Sequence, residues 1–153
     1  MNDATTKLEL MLRVRALEVS TSRHQALLKG KDLAVAAAAS AEAEGQYGEA
    51  VLLEAAALAR RNADPTDQAA LLHSRACAGR TSDASGNLDA CRDNEAEAAS
   101  AVVQARRAML RAETRHDTIA ERVRLEASRQ RRRAERRREE EHRLPGRMVE
   151  VTP

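Results

Sequence analysis

Seven arginines close together near the C-terminal end of the chain are the residues whose chemistry stands out. They are Arg129, Arg131, Arg132, Arg133, Arg136, Arg137 and Arg138. A guanidinium group presents a planar fork of N–H donors that binds a carboxylate or a phosphate through two hydrogen bonds at once. This run of charge is therefore the predicted partner-binding site.

Four glutamates lie among or directly after these arginines, at position 135 and at positions 139–141. We do not expect them to act as general acids or bases, because an exposed carboxylate has no apolar surroundings that raise its pKa. The sequence also contains no glycine-rich phosphate loop, no HExxH pair and no nucleophile elbow. It predicts a protein that is not an enzyme and that uses no cofactor.

The cysteines and histidines are too scattered to predict a metal site. Cys77 and Cys91 form no CxxC pair and no cluster with histidine. We interpret them as small residues of a helix seam or a turn, with one disulfide at the tip of a hairpin as the alternative. His24 and His116 have no second ligand at a helical spacing, which favours packing or partly solvated roles.

The composition favours long helices over a compact globular core. Among 153 residues there is one tyrosine and no phenylalanine or tryptophan, while 33% of the residues are charged and alanine is abundant. Such a composition is typical of coiled coils. The N-terminal MNDATTKLEL lacks the pattern of a signal peptide, and no apolar run is long enough to span a bilayer. We expect an all-α, soluble, cytoplasmic protein without membrane insertion.

Residues 87–143 are predicted to form one long helix with a heptad seam, meaning positions spaced alternately by three and four residues. The seam consists of Leu88, Cys91, Glu95, Ala98, Val102, Ala105, Met109, Ala112, His116, Ile119, Val123, Glu126, Gln130, Arg133 and Arg137. Its first two thirds are mostly apolar. A strict seven-residue repeat requires a left-handed supercoil with a partner helix.

Residues 4–61 supply the predicted partner helix, with a second seam that has polar interruptions. This seam consists of Leu10, Val14, Leu17, Thr21, His24, Leu28, Lys31, Val35, Ala38 and Glu42. Gly45 and Gly48 mark the place where the helix is most prone to kink or break, because glycine is the poorest helix former after proline.

Residues 62–86 are predicted to form the turn between the two arms. Asp64 is the expected N-cap of a short helix over 65–78, Gly79 is expected to end it, and residues 80–87 have the composition of a loop. Two arms of nearly equal length predict a single domain over 1–153: a long antiparallel two-helix coiled-coil hairpin with a short helical insert at the turn. A parallel homodimer of one long rod is the competing architecture.

Arm pairing within one chain predicts a monomer, in which residues 144–153 form a flexible tail because Leu144-Pro145-Gly146 ends the helix. The formal net charge of +2 conceals an asymmetry: residues 101–147 carry fifteen arginines against eight acidic residues. A basic end is compatible with an acidic protein, nucleic acid or a membrane surface. Nucleic acid is disfavoured because glutamates are interspersed and no aromatic side chain is available to stack on bases. A membrane surface is disfavoured because residues 129–143 offer no apolar face.

The sequence resembles the central-stalk proteins of type III secretion and flagellar export. The resemblance is carried by the opening LMLRVR at 10–15, the alanine-rich seams, the equal arms and the C-terminal RQRRRAERRREEEHR at 129–143. Proteins of that family are small antiparallel coiled coils similar to the hairpin of the rotary ATPase γ subunit. The insert at 62–86 departs from their pattern, because it is longer than a simple hairpin turn.

The resemblance implies a non-enzymatic stalk whose terminal end inserts into a hexameric secretion ATPase, while its other end faces an export-gate protein at the inner membrane. Export chaperones are a further class of partner that it implies. It assigns the ATPase contact to the C-terminal arginines. These are Arg131, Arg132, Arg133, Arg136, Arg137 and Arg138.

Overall fold

The computed structural model describes residues 3–143, and it contains two α-helices and no strand within that range. Helix α1 spans Asp3–Ala63 and helix α2 spans Gln68–Arg143. The all-α hairpin fold is confirmed, and α1 continues without interruption through Gly45 and Gly48. The predicted flexible tail, residues 144–153, lies outside the described residues.

The helices contribute to two compact units. One unit consists of residues 23–108, and here the end of α1 packs antiparallel to the beginning of α2 across the turn at 64–67. The hydroxyl of Thr81 donates a hydrogen bond of 3.3 Å to the carbonyl of Ala50, and Arg92 forms an ion pair of 3.3 Å with Glu44. The other unit combines the beginning of α1 up to Ser22 with α2 from Met109 onward.

The predicted seam of α2 is confirmed between Leu88 and Gln130, because every one of its positions there is buried or half-buried. The same spacing also continues backwards through the residues of the predicted short helix and loop. These additional seam residues are Ala70, Ser74, Cys77, Thr81 and Ala84.

The predicted break in the second arm is therefore wrong. Residues 68–143 form one helix, so no separate helix ends at residue 78 and no loop follows at 80–87. Small side chains at the seam positions allow α2 to lie close to α1, while Ser82, Asp83 and Gly86 are on the exposed side. Packing of this seam outweighs the local preference of serine, aspartate and glycine for turns.

The predicted seam of α1 is in the wrong phase. All ten of its residues are exposed, among them Leu17 at 69% and Val35 at 71%. The buried or half-buried residues lie two positions earlier, which is about 200° around a helix. They are Leu8, Leu12, Arg15, Val19, Ser22, Ala26, Leu33, Ala36, Ser40, Ala43, Tyr47, Ala50, Glu54, Ala57 and Arg61. Alanine and serine on this side permit close helix packing, whereas Leu10, Leu17, Leu27 and Leu28 remain outside.

The helix after the turn begins later than predicted, at Gln68 and not at residue 65, because Asp67 and not Asp64 caps it. The Asp67 Oδ1 atom accepts a hydrogen bond of 2.9 Å from the N–H of Ala69, and its carbonyl accepts one of 3.1 Å from Leu71. The carboxylate of Asp64 instead accepts hydrogen bonds from the backbone N–H and the hydroxyl of Thr66, at 3.1 and 2.7 Å. Asp64 thus shapes the turn, and Asp67 starts the helix.

Candidate partner-binding surface

The seam of α2 ends where the predicted binding site begins. Glu126 and Gln130 are half-buried and occupy the last two covered seam positions, whereas every side chain from 131 to 142 is exposed. Helix α2 has 76 residues and α1 has 61, so 15 residues of α2 exceed the length of α1. We call residues 129–138 the arginine segment. It contains the last covered seam position, Gln130, and the exposed helical residues that follow it.

The guanidinium groups of the arginine segment remain almost entirely without ion partners. Arg129 lies 3.7 Å from Glu126. Within the range that the structure describes, the other six arginines form no ion pair, although Glu135 and residues 139–141 are close in sequence. Arg133 has no acidic residue three or four positions away, since its neighbours at these spacings are Arg129, Gln130, Arg136 and Arg137. Like charges at these spacings repel one another on a helix. Each of the other five has a glutamate at such a spacing and still forms no ion pair in the described part of the chain.

Charge in this region is separated into two blocks. Residues 129–138 contain seven arginines and one glutamate, and three consecutive glutamates follow at 139–141. Negative charge near the C-terminal end of a helix interacts unfavourably with the helix dipole. The order of the blocks therefore does not stabilise the helix. It instead leaves a concentrated positive surface of guanidinium groups that can bind an external carboxylate or phosphate.

The other sequence candidates are not brought together into a site. Cys77 is buried and Cys91 is half-buried, and both are free thiols. They lie 14 residues apart on one helix, which is about 21 Å, so a disulfide within the chain is excluded. Cys77 Sγ lies 3.7 Å from Nε2 of His73. No group of three potential metal ligands occurs among residues 3–143.

The histidines on the predicted seams differ in their surroundings. His24 is exposed because the α1 seam has the other phase. His116 is half-buried on the α2 seam, and its Nδ1 lies 3.1 Å from the Asp117 carboxylate. Ser40 is buried with no hydrogen-bond partner for its hydroxyl in the described part of the chain. None of these residues adjoins the arginine segment in sequence.

Sequence reasoning missed one surface, the outer side of α1. We call it the outer stripe, and it consists of Leu10, Met11, Val14, Leu17, Leu27, Leu28 and Val35, which are between 44% and 71% exposed. The heptad pattern is visible in the sequence, where it predicts contact with α2. The signal for the covered side is a second heptad set two positions earlier, whose residues from Ala36 to Ala57 are mostly small.

Comparisons with protein-family models, with curated proteins and with solved structures find no match to this chain. No helix within the described range has an apolar stretch of the length needed to cross a bilayer. The arginine segment and the outer stripe are therefore interpreted from their own geometry and chemistry.

Proposed function

We propose that this protein is a non-enzymatic stalk of a type III secretion export apparatus, in which the arginine segment binds the hexameric secretion ATPase. The observation that supports this proposal is the exposure of Arg131 to Arg138 on a continuous helix, with no ion pair at any of the six guanidinium groups among the described residues. A surface of guanidinium groups without ion partners of their own suits a partner that presents carboxylates.

The remainder of the proposal follows from the sequence resemblance. The end of the hairpin at residues 64–67 contacts an export-gate protein, and export chaperones bind as further partners. The stalk acts in the cytoplasm at the inner membrane, to which it is linked through the secretion complex. The turn is compact, since α1 ends at Ala63 and α2 begins at Gln68, and this agrees better with a simple stalk hairpin than the long insert expected from the sequence.

Charge reversal in the arginine segment tests the ATPase contact. The triple variant R132E/R133E/R136E is expected to weaken binding of the purified ATPase at least tenfold, because three carboxylates replace three guanidinium groups on an exposed surface. Helicity should be unchanged by circular dichroism, since none of the three side chains packs against another part of the described chain.

A matched control reverses three exposed arginines nearer the middle of α2. The variant R115E/R122E/R124E has the same change in net charge, but all three positions precede the arginine segment. It should retain wild-type affinity in the same binding assay. Equal affinity of both triple variants for the ATPase would reject the proposed contact.

Nucleic-acid binding is the second candidate function, and the same unpaired guanidinium groups favour it. Neutralisation of several phosphates gives a steep linear decrease of the logarithm of affinity with the logarithm of salt concentration. Titration against random duplex DNA at about 50 and 200 mM salt measures this slope. Tight, strongly salt-dependent binding that R132E/R133E/R136E abolishes would support nucleic acid as the partner in place of the ATPase.

A further inference from the structure

Two open pockets lie between α1 and α2 within the compact unit of residues 23–108. The larger pocket, of about 350 Å³, includes Val35, Ala39 and Cys91 in its lining, and the smaller pocket, of about 140 Å³, includes Glu49, Leu53 and Cys77. The lining residues correspond one to one, because each residue of one pocket is 14 residues from a residue of the other on the same helix. Fourteen residues are two heptads, so both pockets are on the same side of this unit. We call the cleft that contains them the side groove.

The spacing of the pockets fits a third helix that lies along the side groove. At about 1.5 Å per residue the pockets are about 21 Å apart. A helix that supercoils with α1 and α2 returns to the same side every seven residues, so its side chains two heptads apart can enter both pockets. Both pocket volumes are several times the roughly 30 Å³ that one water molecule occupies. Each pocket therefore has room for an apolar side chain.

An extended peptide suits the side groove less well than a helix does. Both walls of the groove belong to continuous α-helices, whose backbone groups bond within each helix. The groove thus has no strand edge to which an extended chain could add. Such a chain would lose water from its own N–H and C=O groups without gaining protein partners for them. A helix satisfies these groups internally.

Large apolar side chains at the pockets are exposed in the isolated chain. Val35, a residue of the outer stripe, is 71% exposed beside the larger pocket, and Leu53 is 56% exposed beside the smaller one. Leu28 lies one heptad before Val35 and is 44% exposed. A docked helix would remove these side chains from water, which is the main favourable contribution to most protein association.

The rim of the side groove is acidic. Four exposed carboxylates on it have no cationic partner within the described range, and they are Glu42, Glu49, Asp83 and Glu97. Glu49 itself lines a pocket, and the other three are each three residues from a lining residue, a spacing that places side chains together on a helix. Asp32 forms an ion pair of 3.1 Å with Lys29. Since Arg80 is the one basic residue among the lining residues, the groove favours a positively charged partner.

The arginine segment of a second copy does not meet these requirements. It is basic, but Ala134 is the one apolar residue between positions 129 and 138. A segment of ten residues also cannot place two side chains 14 residues apart. The occupant of the side groove is therefore a helix of another protein.

We propose that the side groove binds an amphipathic helix of a partner protein, which inserts two large apolar side chains, two heptads apart, into the pockets and carries lysine or arginine on both sides of them. The groove belongs to the unit of residues 23–108 and the arginine segment to the other unit. The inference is thus independent of the proposed ATPase contact, and it requires no second copy of the chain.

Two synthetic peptides test the chemistry of the partner. Each has four heptads with leucine at a and d and alanine elsewhere, except that one has lysine and the other glutamate at e and g. Like charges at e and g oppose self-association of either peptide. Isothermal titration calorimetry with the full chain is expected to give at least tenfold tighter binding of the lysine peptide. The proposal is overturned if the lysine peptide does not bind at about 1 mM, or binds no more tightly than the glutamate peptide.

Charge reversal on the rim tests the location. The variant E42K/E49K should weaken binding of the lysine peptide at least tenfold and strengthen binding of the glutamate peptide, while helicity remains because both side chains are exposed. The matched control D89K/D117K has the same change in net charge at exposed positions of α2, neither of them three, four or seven residues from a lining residue. It should retain wild-type affinity. Equal losses in both variants would overturn the assignment to this groove.

Filling the larger pocket tests the apolar contact separately. Ala39 is an exposed lining residue, and A39F should weaken binding of the lysine peptide at least tenfold because the phenyl ring occupies the space of the incoming side chain. The control A41F changes an exposed alanine about 200° around α1 and should bind as the wild type does. Unchanged or tighter binding by A39F would contradict insertion into this pocket.

The mass of the free chain in solution distinguishes a foreign partner from a second copy. Sedimentation equilibrium without peptide is expected to give the monomer mass of 16.8 kDa. A dimer that E42K/E49K dissociates and D89K/D117K does not would identify a second copy as the occupant of the side groove, and would overturn the proposal of a different protein.

Discussion

The Oδ1 atom of Asp67 lies 2.9 Å from the backbone nitrogen of Ala69 and accepts its hydrogen bond. This contact satisfies one of the backbone donors that the first turn of α2 leaves without an intrahelical partner. Because α2 follows a turn of four residues, the same contact also determines where the chain leaves the hairpin tip.

Replacement of this cap should lower stability without changing the fold. We expect D67A to reduce the free energy of unfolding by about 1 kcal/mol, and D67N or D67S to restore most of it, since both retain a side-chain oxygen. Urea unfolding followed by circular dichroism measures the difference. Equal stability of D67A and the wild type would show that the hydrogen bond contributes nothing.

The carboxylate of Asp64 makes the stability of the turn dependent on pH. Hydrogen bonds from the hydroxyl and the N–H of Thr66 lower the pKa of Asp64 below its ordinary value of 3.8. A lowered pKa in the folded state means that the stabilisation is complete above the unfolded value and is lost as the pH falls through the folded value. The effect therefore appears below about pH 4.

Removal of the Thr66 hydroxyl tests this linkage. In T66V the pKa of Asp64 should return towards its ordinary value, because the hydrogen bond that lowers it most is absent. Stability of the variant should consequently fall less than that of the wild type between about pH 5 and pH 3. NMR titration of the Asp64 carboxyl carbon gives the pKa directly, and identical titration curves would contradict the assigned cause.

How much of the fold was predictable depended on which residues occupy each seam. In α2 most of the large apolar residues between Leu88 and Ile119 share one heptad phase, with Val103 and Leu110 outside it, so the correct side was identified. In α1 two phases compete, and the larger side chains, such as Leu17 and Val35, lie in the phase that faces solvent. The size of the apolar side chains alone favoured the wrong side of α1, because close helix packing at Ala43 and Ala57 requires small residues.

The candidate site was predictable for a simpler reason. After Val123 the seam passes through Glu126, Gln130 and Arg133 and has no apolar residue left to bury, so exposure of the arginine segment followed from composition. The near absence of ion pairs within the arginine segment did not follow from composition, because the sequence allows many pairs at helical spacing. Pair formation depends on the side-chain conformations of long, exposed arginines and glutamates, which the sequence does not specify.

Two adjacent valines provide a direct test of the packing direction of α2. Val102 is 5% exposed and Val103 is 47% exposed. We expect V102A to destabilise the protein by about 2 kcal/mol through lost burial and cavity formation. V103A should be neutral or slightly stabilising, because alanine is the better helix former. Chemical denaturation of both variants measures the difference, and equal effects would show that the seam does not pass through Val102.

The glycines in the middle of α1 should be replaceable with a gain in stability. A Cβ atom at Gly45 or Gly48 would have no non-neighbouring atom within 4 Å, and both residues lie inside a continuous helix. The double variant G45A/G48A should therefore be more stable by about 1 to 2 kcal/mol, since each alanine reduces the entropy cost of helix formation. A41G, at an exposed position of the same helix, should have the opposite effect of about 1 kcal/mol. Thermal unfolding distinguishes these outcomes, and a lower melting temperature of G45A/G48A would indicate that α1 bends at these glycines in solution.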